Sequence, residues 1–186
     1  MGLGLCVVDH FYVVESLDSD PERIRYSQRL VASGGMIGTA LSQAAHLGAQ
    51  THVISLVGAD AEGRFVRRRL RAAGVRTRRL CLDPERPTGV AVVLVERRSG
   101  ERRFLVADRR ALERGVPDFD LSPIQAGSVL LIDGHFPAQC RLAVRRAREV
   151  GARAHGRDVP AGDGHGSVCD HPALLIEGDD RAPGQQ

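Results

Sequence analysis

Between residues 3 and 150, short apolar runs alternate with stretches of helical period, and that alternation leaves few folds open. LGLCVV (3 to 8), THVISLVG (51 to 58) and SVLLID (128 to 133) are brief, rich in apolar and β-branched residues, and suited to strands buried on both faces. Residues 36 to 47 place Ile37, Ala40, Leu41, Ala44, Ala45 and Leu47 close to helical spacing, and Gly48 stops the run. In DAEGRFVRRRLRAAGV, Asp60 stands where an N-cap belongs, Phe65, Val66 and Leu70 form an apolar stripe, and Gly74 closes the helix. PAQCRLAVRRAREVGA (137 to 152) predicts a third helix, with Leu142, Val144, Ala147 and Val150 on or near its buried side. Strand, helix, strand, helix implies an α/β fold: a parallel sheet flanked by helices and joined by right-handed crossovers. GVAVVLVER (89 to 97) and RRFLVA (102 to 107), joined by RSGE, predict a β-hairpin inserted outside that sheet.

A chain of 186 residues with 42% apolar content buries one good core, so a single domain is expected. Its 4 cysteines (Cys6, Cys81, Cys140, Cys169) are widely spaced without a CxxC pair, and the amino terminus carries no secretory pattern. A reduced, cytoplasmic protein follows as the expectation. No apolar run approaches the roughly 20 residues that cross a bilayer, so no membrane association is expected. All 26 basic residues are arginine. They fall unevenly: residues 1 to 150 hold 23 Arg against 17 acids, and residues 151 to 186 hold 3 against 6. The RRR run at 67 to 69 reads as the solvated face of its helix, and with only 4% aromatic residues no nucleic-acid partner is expected.

The stretch GGMIGTALSQAAHLGA followed by VGADAEG resembles the first signature of the PfkB (ribokinase-like) carbohydrate kinases: a Gly-Gly, a helix ending in LG, a strand, then VG-D--G. Other segments agree in order. GLGLCVVDHF resembles the family's first strand, whose terminal acid, here Asp9, hydrogen-bonds sugar hydroxyls. PTGVAVVLVERRSGERRFL (87 to 105) resembles its lid. LLIDGHFP (130 to 137) resembles the strand end that supplies an acidic residue and a glycine near the substrate. The resemblance covers residues 2 to 150 and implies a ribokinase-like, Rossmann-type parallel sheet with a small β lid. It further implies a fold cut short, because the family runs to around twice this length.

The residues support a sugar site on physical grounds as well. Sugars are neutral and coated in hydroxyls, so a selective site presents fixed acceptors and donors, and carboxylates accept well. Asp9 and Asp133 are expected at or just after the carboxyl ends of sheet strands, where ligands of open α/β sheets bind. Gly34 and Gly35 lack Cβ, so their backbone N–H groups can approach a ligand at a helix start. Thr39 stands where the family usually carries an Asn that contacts sugar hydroxyls; a hydroxyl replaces an amide there, which leaves the choice of sugar open. His10 and His135 each neighbour a candidate aspartate and are assigned no chemistry.

The family's later half supplies an NxxE segment that organises Mg²⁺, a nucleotide pocket, and a GAGD motif whose Asp takes the proton from the attacking hydroxyl. This chain contains no Asn at all. RDVPAGDGHGS (157 to 167) contains AGD, with Asp163 as a weak candidate base, but Gly and Pro break the helix that such a motif should open. ATP and Mg²⁺ are therefore expected of the full-length family and not of this chain. His155, His165, Cys169 and His171 lack the paired knuckles of a structural zinc site, so no metal is expected. Past residue 150 the alternation fails. Residues 151 to 186, rich in Gly, Pro and His, are expected to be a disordered or frameshifted tail.

Two functions follow as expectations. One is an ATP-dependent sugar kinase of which this chain is the substrate-binding and lid half, inactive alone. The other is a non-catalytic remnant that binds a sugar or nucleoside, or pairs into a homodimer through the lid.

Overall fold

The computed structural model describes residues 1–18, 22–108 and 112–156. The chain forms two sheets. The first is parallel, five-stranded and ordered β5-β4-β1-β8-β9, from β1 (Gly2–Leu3), β4 (His52–Gly58), β5 (Arg76–Asp83), β8 (Val129–Ile132) and β9 (Arg153–Gly156). The second is four-stranded, ordered β3-β2-β6-β7, from β2 (Val7–Val14), β3 (Tyr26–Gly34), β6 (Val90–Glu96) and β7 (Arg102–Val106). Helices α1 (Met36–His46), α2 (Ala61–Ala72) and α3 (Pro137–Glu149) flank the parallel sheet.

Strand β4 explains why the parallel sheet is buried on both sides. Val53 and Val57 pack into a cluster with Ile37 and Leu41 of α1 and Val66 and Leu70 of α2. Ile54 and Leu56 point the other way, into a cluster with Leu130 and Ile132 of β8 and Cys140, Ala143, Val144 and Ala147 of α3. A two-residue period against two covered faces produces a continuous apolar run. In α3, Leu142 is 41% exposed, so the buried stripe runs through Cys140, Ala143, Val144 and Ala147 and excludes Leu142.

Three differences from the sequence reading matter for the site. LGLCVV is not one strand: Gly2 and Leu3 pair with β4 and β8, and the chain then leaves for the second sheet at Val7. The expected hairpin exists, as β6 and β7 pair antiparallel, but it is half of a sheet completed by β2 and β3. Finally, Arg153–Gly156 pairs parallel with β8, which carries the sheet past residue 150.

Helix α2 starts on a clamp. Asp60 caps it by accepting the Gly63 N–H at 2.7 Å, and the same carboxylate accepts the Thr88 N–H at 2.7 Å and the Thr88 hydroxyl at 2.6 Å. The Thr88 oxygen in turn accepts the Gly58 N–H at 2.9 Å. Four hydrogen bonds thus join the end of β4, the start of α2 and the entry to β6. Thr88→Val keeps the shape and removes the hydroxyl, leaving the buried Gly58 N–H without its acceptor. The expected cost is about 2 kcal/mol, read as a lower urea midpoint at unchanged slope.

Candidate functional site

The Gly-Gly joint sits where the two sheets meet. Gly34 ends β3 and pairs with Val7 of β2; Gly35 follows at φ 84 and serves as the N-cap of α1, whose first turn has no side-chain cap. A Cβ on Gly34 would overlap the carboxylate of Asp9, and one on Gly35 would overlap the carbonyl of Leu5. Both glycines are required by close approach, and Gly35 by its positive φ as well.

Asp9 lies inside β2, flanked by Ala32 of β3 and Ala91 of β6. The expectation that it ends a strand of the parallel sheet is therefore corrected: it is a residue of the second, four-stranded sheet, which includes the hairpin expected as the lid, because the chain changes sheets after Leu3. Its half-buried carboxyl group has a raised pKa, pushed up by burial and only partly offset by His10. Burial has removed water from this acceptor, and among the described residues no protein donor replaces it.

Asp133 follows the last residue of β8, as expected. It is 5% exposed, and a Cβ on Gly4 would overlap its carboxylate. One oxygen accepts the Leu5 N–H at 2.8 Å and the other accepts the His135 N–H at 2.9 Å. Burial raises its pKa, against the lowering effect of those two bonds and of His135. Asp133 therefore ties the β1–β2 crossing to the end of β8, across 128 residues of sequence.

The pieces form one continuous path. Asp9 lies against Gly34, Gly35 against the Leu5 carbonyl, and the Leu5 N–H on Asp133. Thr39 is exposed on α1, one turn beyond Gly35, whose carbonyl accepts the Thr39 N–H at 3.0 Å. Asp163, His165, Cys169 and His171 lie outside the described residues.

Glu113, which the sequence reading did not single out, lies beside the segment that follows Asp133. Its Oε1 lies 2.9 Å from His135 Nδ1 and accepts the Phe136 N–H at 3.3 Å. Phe136 is held at φ 56 and ψ 60, left-handed and unusual for a bulky residue, at the N-cap of α3. Arg86 donates to the carbonyls of Leu112 and Gly115, and Gln139 to that of Val116, so the Glu113 segment is fastened on both sides. No local pattern marks Glu113, since its partners lie 22 and 23 residues away.

Among the described residues, no three His, Cys, Asp or Glu side chains converge on a point where a metal ion could sit. Each Asp133 oxygen accepts one backbone N–H, and Asp9 lies over Gly34. No helix among the described residues is long and apolar enough to cross a membrane.

Comparison with known proteins places this arrangement. The sequence profile described as "pfkB family carbohydrate kinase" matches residues 1–160. Among solved structures, the chain is similar to a ribokinase from Arabidopsis thaliana complexed with ribose and ATP (19% identity, TM-score 0.69, covering 86% of this chain and 55% of that one). It is also similar to a fructokinase from Halothermothrix orenii (23% identity, TM-score 0.68, 87% and 60%). A fructokinase from Xylella fastidiosa is a third (20% identity, TM-score 0.66, 83% and 48%). The chain spans about half the length of the solved structures it resembles. A comparison with curated protein sequences finds no match.

Proposed function

The chain belongs to the pfkB family of carbohydrate kinases, and from that premise we propose that it is the sugar-binding part of such a kinase, with the joint at Asp9, Gly34 and Gly35 as the binding surface. The observation that carries the proposal is the half-buried Asp9 carboxylate seated directly over Gly34. A partly desolvated acceptor gains more from a hydroxyl donor than an exposed one does, because it has less water to give up. The open first turn of α1 offers backbone N–H donors beside it, and Thr39 a hydroxyl one turn further on.

Asp133 has a different part in this reading. With both oxygens engaged, it holds Leu5 and His135 in place and so sets the floor on which Gly35 rests. Asp9 makes the direct contact to sugar.

Transfer of a phosphoryl group needs a positioned nucleotide, metal charge and a base together. ATP would supply the phosphoryl group and Mg²⁺ the charge. We assign this chain the binding of the acceptor sugar and the exclusion of water by the lid sheet; phosphorylation is assigned to the longer proteins of the family.

Titration calorimetry with D-ribose and D-fructose tests the reading. The expected result is binding of one of them that weakens at least tenfold in Asp9→Ala. Absence of heat from both, or equal affinity in the variant, contradicts it. Added Mg-ATP with formation of a sugar phosphate would extend the assignment to the whole reaction.

A second reading, a homodimer through the lid, is favoured by one feature. Edge strand β7 carries Phe104, Leu105 and Val106 at 60%, 60% and 69% exposure. An exposed apolar edge pairs readily with another copy. Light scattering is expected to give twice the monomer mass, reverting to the monomer in Leu105→Lys. A wild-type monomer contradicts this reading and leaves sugar binding untouched.

A further inference from the structure

Residues 63 to 82 contain eight arginines and no acidic residue, in a chain whose net charge is only +3. The structure gives them a shape. Arg64, Arg67, Arg68 and Arg71 stand at i, i+3, i+4 and i+7 on α2, which is one ridge of a helix. Arg64, Arg68 and Arg71 are exposed and Arg67 is half-buried. Arg71 Nε donates to the Thr77 hydroxyl at 2.8 Å, and that bond carries the ridge onto edge strand β5, where exposed Arg76 and Arg78 flank Thr77.

Charges of one sign crowded together destabilise a fold unless something neutralises them. Among the described residues, none of these six arginines forms an ion pair; Arg79, next along β5, pairs with Asp120. Glu62 is the one acid of α2 and sits in its first turn. Arg76 Nη1 lies 3.3 Å from Nε2 of His52, at the start of β4. The pKa of His52 is lowered by burial first, then by Arg76, the amino terminus and Arg79. The sequence reading took the RRR run as a solvated face because a nucleic-acid surface calls for a broader basic patch with aromatic platforms; β5 supplies the broader patch.

We propose that the α2–β5 face is a docking surface for the phosphate backbone of a nucleic-acid duplex. Guanidinium forks match phosphate oxygens two at a time. The ridge from Arg64 to Arg71 is about 10 Å long at 1.5 Å per residue, and a duplex carries one charge per about 1.7 Å of axis, so several phosphates lie within reach. No aromatic side chain interrupts the ridge for base stacking, which favours backbone contact with a duplex over capture of single strands. Insertion into a membrane is disfavoured because Val66 and Leu70 of α2 are 0% and 1% exposed in the core and Phe65 is half-buried against it. This surface is separate from the sugar joint, and the inference does not depend on the proposed function.

The test is fluorescence anisotropy of a labelled DNA duplex titrated with the full chain across a salt series. Contact with about five phosphates predicts a log–log salt slope of about −4.5, a loss of roughly 500-fold between about 50 and 200 mM salt. Arg67→Glu/Arg68→Glu is expected to weaken binding at least tenfold and to flatten the slope by about two. Arg67→Ala/Arg68→Ala, which introduces no new charge, is expected to do the same to a smaller extent. Arg98→Glu/Arg102→Glu makes the same change of net charge on the lid sheet and should leave binding within about twofold. The proposal is overturned if the duplex does not bind at about 50 mM salt, if the lid variant loses as much as the ridge variant, or if vesicles of anionic phospholipid bind the ridge as tightly as the duplex.

Discussion

Replacing Gly34 by alanine is expected to lower the melting temperature by about 6 to 12 °C, corresponding to about 3 kcal/mol in a domain of this size. The new methyl group would occupy the position of the Asp9 carboxylate. The backbones of both partners are fixed in the ladder, Gly34 in register opposite Val7 and Asp9 between Ala32 and Ala91. The side chain must leave its rotamer or the β2–β3 ladder must open. A double-mutant cycle separates this collision from a general effect of alanine. In Gly34→Ala/Asp9→Ala the obstructing carboxylate is gone, so most of the loss should return, with a coupling of about 2 kcal/mol. Additive losses would mean that Gly34 is needed for some reason other than Asp9. If Asp9 and Gly34 jointly receive the sugar, the rescued double variant should be stable and still fail to bind.

The second large effect concerns Asp133. Asp133→Ala leaves the N–H groups of Leu5 and His135 without their acceptor, and it opens a void above Gly4. Two unsatisfied donors at about 1 to 3 kcal/mol each, less the relief of removing a buried carboxylate, predict a loss of about 3 kcal/mol. Asp133→Asn retains one acceptor oxygen and should lose less. The pH dependence distinguishes a buried carboxylate from a merely polar side chain. Because the folded pKa of Asp133 is raised, the folded state holds its proton more tightly than the unfolded chain. Its contribution is therefore fully present below the unfolded value near 4 and is lost as pH rises through the folded value. Asp9 acts in the same direction. Asp60 and Asp83, whose pKa values are lowered, act oppositely and lose their contribution as pH falls. The wild type minus Asp133→Asn difference isolates the first term: it should shrink as pH rises from 4, and a difference that stays flat would contradict the assignment.

How much of this was legible in the sequence depended on how local the cause was. Strand β4 could be read because its two buried faces write a continuous apolar run into seven residues. Helix α2 could be read because Asp60 and Gly74 stand at its ends. Strand β5, RTRRLCLD, was hidden by its arginines: Thr77 and Leu80 are buried, but a bulge between the positions facing His52 and Ile54 breaks the two-residue alternation. Strand β3 was hidden because Tyr26 through Leu30 are all exposed, so no apolar period exists to detect. The split of LGLCVV is the most instructive case. Nothing in six apolar residues announces a change of sheet, since the crossing is fixed by Asp133, far along the chain, accepting the Leu5 N–H over Gly4.

The site divides along the same line. Gly34, Gly35 and Asp9 were singled out because motif order marked them, and the structure brings them together at one joint, although on a different sheet from the one expected for Asp9. Asp133 was singled out for its place at a strand end, and spacing could not suggest its two backbone partners, Leu5 and His135. Glu113 was not found because its contacts with His135 and Phe136 exist only after the chain has folded.

The most direct measurement is an amide-resolved NMR titration of the uniformly labelled chain with D-ribose and D-fructose. If the lid-sheet aspartate and the glycine turn clasp a polyol, the amide signals of Asp9, Gly34, Gly35 and Met36 move together and saturate with one sugar. Signals that stay in place at these four residues, while others move or none do, would contradict the account.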